Sequence, residues 1–546
     1  MNDVEDSSTP DFQEPEIELQ DINIATERPL NSQRNVPLVP TKTRSVSRPR
    51  SEIISRISSE RSSFPRRGEY NDFRNSFVTT PKSVGPAYNC GCLWVFYLVF
   101  LVIEGIFVFL IGYYFKLPDF STNFNDFDKN HQYYQIVTVV IFLGLGLLHS
   151  SLQFYSWTSM ISGIFLGVFA LEIGIVYVAF WENVFYYNFI DRLLTFKHLI
   201  KSAFNALTSM ITLGAVLGKL TMPQYIILFL FEGFFSSFNY GLCIQLLKAH
   251  DDGGCIHVYL FGACFGIAVS FVILLDKDYD SINSLTQSET GMNYKSATFG
   301  IIGTIIIWAF MPFVNAALTP LATELPPDSI NDFWPFRYRA IMNTYLALIG
   351  SSFGSMLFSF YFNNRLSINN IMFSSLSGAV GVSAFASFLN YGFISISIGL
   401  LFGVLTGFLL MIFRPNLKSR FCLDTIGVLV LYLIPAFIGE ITEIIIIGAF
   451  KNDEYNGKGK VYLLLKARSQ SKQALINFAC IFITIGISLV LGAFTGLLLY
   501  IFPLGTLNKY YADSENFEPE TEPFAENLKI RQLKSKTSLI KLNNSF

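Results

Sequence analysis

The stretch DDGGCIHVYLFGACFG, Asp251 to Gly266, sets two carboxylates and a glycine pair before an apolar run that carries a histidine and a tyrosine two residues apart. A glycine pair lets the backbone turn and expose its carbonyl oxygens. Beside the fixed charge of Asp251, those oxygens would draw in a small cation and begin to replace its water. The same residues suit a plainer task, because Asp251 and Asp252 would also cap a helix that starts just after them. Inside the run, an imidazole with an ordinary pKa of about 6.5 accepts a proton on one nitrogen and donates from the other near neutrality. A phenol, with a pKa of about 10 and a single oxygen, hydrogen-bonds well but relays protons poorly at that pH.

Other ionisable residues stand in apolar surroundings: Glu104, His149, Glu172, Glu232, His257, Asp424, Glu440 and Glu443. In hydrocarbon each needs a cavity or a partner, so a bundle holding this many is more than an anchor. Taken singly, each fits helix-to-helix hydrogen bonding better than ligand binding. No metal-ligand spacing, phosphate-binding glycine loop or nucleophile constellation occurs, which points away from an enzyme and calls for no cofactor. Of the seven cysteines, Cys90 and Cys92 open the first apolar run and the others lie within such runs or, for Cys422, at the edge of one, with no spacing that suggests a metal site or disulfide framework.

The elements that must position these groups are membrane helices. Of 546 residues 51% are hydrophobic and only 15% charged, and 55 phenylalanines with 26 tyrosines exceed what a soluble domain could hide from water. Apolar runs of about 20 residues or more cross a hydrocarbon core of about 30 Å as helices. About twelve such spans are expected, at 89–115, 132–152, 157–181, 199–220, 223–247, 254–275, 297–317, 338–362, 368–388, 391–413, 423–450 and 475–503. The fold class is therefore an all-α polytopic membrane protein. Small residues recur within the spans, as in GLGLLHSS (Gly144 to Ser151), GAVLGK (Gly214 to Lys219) and GIIGT (Gly300 to Thr304), where close helix packing is their main use.

Residues 1–88 lack hydrophobic periodicity and are expected to be a disordered tail. Its charge is segregated: residues 1–27 carry nine acids and no Lys or Arg, whereas Arg28 to Lys82 carries twelve basic residues against four acids. RSVSRPRSEIISRISSERSSF, Arg44 to Phe64, places serines near arginines, as a basophilic kinase or an anionic lipid surface would accept; a solvated tail without a partner fits equally. An even number of spans puts both termini on one side, and the basic tail makes that side the cytoplasm, although loop 451–474, with six Lys or Arg, then lies outside. Residues 504–546 read as a second cytoplasmic tail. The net charge of -2 carries no sign of a nucleic-acid partner.

DDGGCIHVYLFGACFG, together with LGAVLGK (Leu213 to Lys219), FGIIGTIIIWAFMPFVNAAL (Phe299 to Leu318) and MNTYLAL (Met342 to Leu348), resembles the Rh branch of the ammonium transporter family over residues 89–503, with a weaker likeness at KYYADSENFEPE (Lys509 to Glu520). The resemblance implies an ammonium-transporter-like fold of two inverted halves. It implies a trimer in which each subunit has its own narrow pore for ammonia or ammonium, or in some members carbon dioxide. Carried over, the family's vestibule acid falls on Asp251 and the first of two phenylalanines stacked over the pore mouth on Phe204. The second falls on Val314, with Phe313 adjacent as an imperfect substitute. The twin pore histidines fall on Tyr259, from the glycine pair and the FGA that follows, and on Tyr432, in DTIGVLVLYLIP.

Two residues along a helix turn a side chain by about 200°, so His257 is expected to point away from the pore and to hydrogen-bond within the bundle near the membrane surface. The Rh blood-group polypeptides, whose pore histidines also depart from the pattern, resemble this chain at His257-Val258-Tyr259 and at GEIT (Gly439 to Thr442). Two functions follow as expectations. One is a multi-pass channel or transporter, in the plasma membrane or an endomembrane, for ammonia, ammonium or a small neutral gas such as carbon dioxide, with weakened proton-coupled ammonium conduction. The other is a non-conducting structural or regulatory subunit assembled with an Rh homologue, as a heterotrimer rather than a homotrimer.

Overall fold

A computed structural model describes residues 90–117, 127–186, 193–275, 291–319, 334–414, 424–449, 468–502, 504 and 513. The tail expected over residues 1–88 lies outside the described residues, as does nearly all of 504–546. The described residues form helices α1 (Cys90–Tyr114), α2 (Phe127–Val139), α3 (Ser156–Tyr186), α4 (Phe196–Val216), α5 (Met222–Tyr240), α6 (Phe261–Ile273), α7 (Tyr294–Ala317), α8 (Trp334–Asn363), α9 (Ile368–Ser374), α10 (Ser377–Val382), α11 (Gly392–Phe408), α12 (Ile434–Gly448) and α13 (Gln470–Ile501). Five π-helical turns extend them: Val140–Leu145 after α2, Gly241–Leu246 after α5, Cys255–Leu260 before α6, Leu409–Phe413 after α11 and Leu429–Leu433 before α12.

Among the described residues, 11 helical stretches are long and apolar enough to cross a membrane. The expected span at 368–388 is not one helix. It is α9, α10 and a short 3-10 turn at Ala386–Phe388. Glycines at 378 and 381 and serines at 374, 375, 377 and 383 interrupt its helical propensity.

Burial sorts the helices. Almost all of α4 and of Cys255–Ile273 is buried, while α1 is exposed along most of its length. Its Trp94, Leu98 and Leu101 are at least 64% exposed. An apolar surface of that kind is stable only against lipid or another apolar chain.

Local chemistry starts and stops the elements. Thr221 and Gln224 form a capping box at the N-terminus of α5, with a proline in its first turn. Asn293 and Ser296 do the same for α7. At α3, the cap comes from a distant residue: the Asp513 carboxylate accepts the N–H of Thr158 at 2.8 Å and of Trp157 at 3.4 Å.

Two contacts hold the bundle where the site will form. Along α8 and α11 the backbones touch: a Cβ added at Gly399 would run into the carbonyl oxygen of Ala347, and one at Gly403 into that of Ser351. At the other, the buried His250 joins the turn after α5 to α12. Its Nδ1 lies 2.5 Å from Glu443 and its Nε2 3.1 Å from Asp252. Burial alone would lower the His250 pKa, but the carboxylates of Asp252 and Glu443 outweigh it and raise the ring to about 10. Asn477 of α13 completes the clamp by donating to Glu443 and to the His250 carbonyl.

Replacing Gly399 with Ala is expected to destabilise the protein by more than about 2 kcal/mol. G486A, at a position with no atom within 4 Å of the added Cβ, serves as the control; equal thermal unfolding of the two variants in detergent would contradict the packing account. For His250, a folded-state pKa near 10 against about 6.5 unfolded makes its stabilisation complete below pH 6.5 and lost as pH rises through 10. Nitrogen-15 spectra of histidine-labelled protein, with the signal assigned by its absence in H250Q, should show both ring nitrogens protonated at pH 8.5. Titration near 6.5 would show that the two carboxylates do not govern the ring.

Candidate functional site

The acid and glycine that open the stretch at 251 build one turn. Asp251 is 1% exposed. Its carboxylate accepts the backbone N–H groups of Cys255, Ile256 and His257 at 2.5, 3.0 and 3.2 Å. Gly254 takes φ +80, the left-handed region where a side chain would strain the backbone, and so redirects the chain into the π turn. The second half of the chain repeats this chemistry. Asp424 accepts the N–H of Leu429 at 2.9 Å, Gly427 takes φ +101, and the Leu429–Leu433 π turn follows. In each copy the glycine stands three residues after the acid and a tyrosine eight residues after it: Asp251, Gly254, Tyr259 and Asp424, Gly427, Tyr432. Helix-terminal N–H groups hold the carboxylate in place, and the wider π turn sets the direction of the tyrosine.

The two tyrosines meet. Their rings stack with centroids 5.9 Å apart and planes 2° from parallel. Both are buried, at 1% and 5% exposure, in the main apolar core. The Tyr259 hydroxyl donates to the Met311 sulfur at 3.7 Å. Met311 lies on α7, whose Pro312 removes one helical N–H at this level.

Beside the first turn lies Phe204 of α4, itself buried; a Cβ on Gly254 would come within 3.3 Å of its ring. Val314 is also fully buried. Phe313 does not turn toward Phe204 but packs edge-on against Tyr345 of α8, with centroids 6.2 Å apart. The turn is braced from the far side: the Gly253 N–H donates to the Ser383 carbonyl at 2.9 Å, and Asn315 of α7 donates to the Ala379 carbonyl at 2.9 Å. The broken segment at 368–388 thus serves as a wall for the 251–254 turn.

His257 hydrogen-bonds as its sequence position suggests, with Nδ1 2.7 Å from the Asp251 carboxylate. It does not keep Tyr259's company. Its ring lies 5.0 Å from that of Tyr240 and 6.2 Å from that of Phe204, centroid to centroid. Asp252 does not share the first turn's role: it accepts from Ser387 and faces His250.

The remaining ionisable residues divide plainly. Thr212 of α4 donates to Glu232 of α5. Arg414 lies 3.5 Å from Asp424. Glu440 is fully buried on α12, and among the described residues neither of its carboxyl oxygens meets a hydrogen-bond partner within bonding geometry. Sequence reasoning missed Met311 and the clamp around His250. It also passed over the repeated acid, glycine and tyrosine spacing, which was there to be read.

A family model described as Ammonium Transporter Family matches residues 93–507. Ammonium transporter Rh type C of Bos taurus is 28% identical over 383 residues, which is 69% of this chain and 79% of that protein. Rhesus-like glycoprotein B of Dictyostelium discoideum is 30% identical over 398 residues, 70% of this chain and 63% of that protein. Among solved structures, Nitrosomonas europaea Rh50 superposes with a TM-score of 0.60 at 22% identity, covering 77% of this chain and 100% of its own. Saccharomyces cerevisiae Mep2 superposes with a TM-score of 0.55 at 17% identity, covering 74% and 94%. The structures share the fold, and the match across most of the membrane-spanning residues places the chain in the ammonium transporter family.

Proposed function

We propose that this chain is an Rh-type membrane passage for ammonia in which stacked phenols occupy the positions of the family's twin histidines. Ammonium costs several kcal/mol to bring into hydrocarbon, so a passage of this kind must compensate the charge or remove a proton first. Paired imidazoles do that near neutrality, whereas phenols hydrogen-bond ammonia without relaying its proton. The observation that carries the reading is the parallel contact of Tyr259 and Tyr432, 5.9 Å apart in the bundle core. Two six-membered phenol rings also fill more volume than two imidazoles and narrow the route between them.

On this reading Asp251 sets the turn at the entrance, Phe204 covers it, and Val314 stands where a second aromatic would stack. Carbon dioxide, small and uncharged, is a second permeant the same narrowed route would admit. The chain is read as a homotrimer or as a heterotrimer with an Rh homologue, with both termini cytoplasmic. The absence of both imidazoles, and of an aromatic at Val314, also favours a second reading, a non-conducting subunit whose partner supplies the conducting pore. Recovery of a histidine-bearing homologue in purified complexes supports that second reading, and a homotrimer that conducts alone excludes it.

Changing Tyr259 and Tyr432 together to His should raise ammonium-dependent transport several-fold in reconstituted vesicles. A correctly inserted double variant with no gain over the parent would mean that these rings are not the limiting barrier.

A further inference from the structure

Helices α1 and α3 run side by side in the same direction: Phe100 meets Phe165 and Phe169 with ring centroids 6.0 and 5.8 Å apart, and two turns on Phe107 meets Tyr177 at 5.5 Å. Beyond Phe107 a groove opens between them. It has a volume of about 440 Å³ and is bordered by Leu110, Tyr114 and Phe115 on one side and by Ala179, Phe180 and Asn183 on the other. Past it the chain closes again, where the Leu194 N–H donates to the Lys116 carbonyl at 2.8 Å. Ring packing frames one end of the groove and a backbone hydrogen bond the other.

That volume falls in the range of small-molecule clefts, about 300–1,000 Å³, and the wall has the composition such clefts share, mostly apolar and aromatic with a few polar groups that fix orientation. Here those groups are Tyr114 and Asn183. The two spans end at Tyr114 and Phe185, so both side chains stand where the helices leave hydrocarbon for the headgroup layer. Leu110 and Ala179 lie one turn deeper. Among the described residues that line the groove, none carries a charge. Tyr114 and Phe180 are 44% and 47% exposed, which leaves the groove open to the lipid around the bundle.

We propose that this groove binds a sterol, with its single hydroxyl at Tyr114 and Asn183 and its fused rings against Leu110, Phe115 and Phe180. The site is independent of what the passage carries. Three features select the ligand. A groove that opens into the bilayer is loaded from the lipid phase. A phospholipid brings a phosphate for which the lining offers no cation, whereas one hydroxyl needs only an amide and a phenol, each able to donate and to accept. An acyl chain loses rotamer freedom along its length when it settles between fixed walls, while a rigid ring system arrives already ordered and lays a flat face on the rings of Phe115 and Phe180. Occupancy also serves the fold, because α1 is the least buried of the candidate spans and a bound sterol extends its contact with α3 beyond Phe107.

The test uses the full chain in phosphatidylcholine nanodiscs, photolabelled with a diazirine-bearing sterol and read by peptide mass spectrometry. Label should fall on residues 110–115 and 176–184, and an excess of unlabelled sterol should displace it. A179F and V184W, each of which puts a ring into the groove, should cut labelling there about tenfold. N183A, which removes one hydrogen-bonding group, should cut it about threefold to tenfold. I305F, at a position on α7 that is 61% exposed, should leave it unchanged. Label spread evenly over the exposed faces of α7 and α8, labelling unchanged in any of the three groove variants, or equal displacement by diacylglycerol, which has the hydroxyl without the rings, overturns the proposal. If the variants do not purify as single species, the parent decides: label on both stretches must yield to sterol and not to diacylglycerol, and its failure to do so overturns the site.

Discussion

Each half of the bundle is built around a buried carboxylate that captures the backbone N–H groups of the turn following it. Asp251 takes three of them and Asp424 one, and each turn is possible because a glycine with positive φ stands three residues on. A carboxylate with 1% or 2% exposure is costly to desolvate unless such donors surround it, and the turn would otherwise leave those donors unmatched. The two requirements satisfy one another. Their consequence is positional: a π turn begins at a set place, and the tyrosine eight residues beyond the acid is aimed at its counterpart.

From that constraint the rest of the interior follows. The turn at 251–254 is flanked by Phe204, walled by the broken segment at 368–388 through Ser383, and tied to α12 and α13 through His250, Glu443 and Asn477. Close backbone contact between α8 and α11 at Gly399 and Gly403 brings that wall in. In the proposed function, the entrance keeps its acid and first aromatic while the passage beneath it holds hydroxyls that bond ammonia without taking its proton.

Much of this was legible in the residues. Hydropathy marks the long helices because the backbone must satisfy its hydrogen bonds internally in lipid. The motif around Asp251 and the run at Asp424 locate both tyrosines. Three features were not legible, for physical reasons. Apolar composition at 368–388 reads as a span because hydropathy does not register how serines and glycines divide a helix. The partner of His257 depends on the turn at Gly254, whose positive φ brings the ring back to Asp251, a closure invisible to helical spacing. Phe313 is next to Val314 in the chain, but adjacent helical positions diverge by about 100°, and its ring goes to Tyr345.

The central claim is that the passage admits the neutral molecule and does not relay its proton. The most direct measurement records luminal pH and charge movement together in vesicles containing the purified protein after an ammonium gradient is imposed. The account predicts luminal alkalinisation faster than in protein-free vesicles with no accompanying current, because entering ammonia consumes a proton inside. Charge moving in step with each nitrogen carried would contradict it.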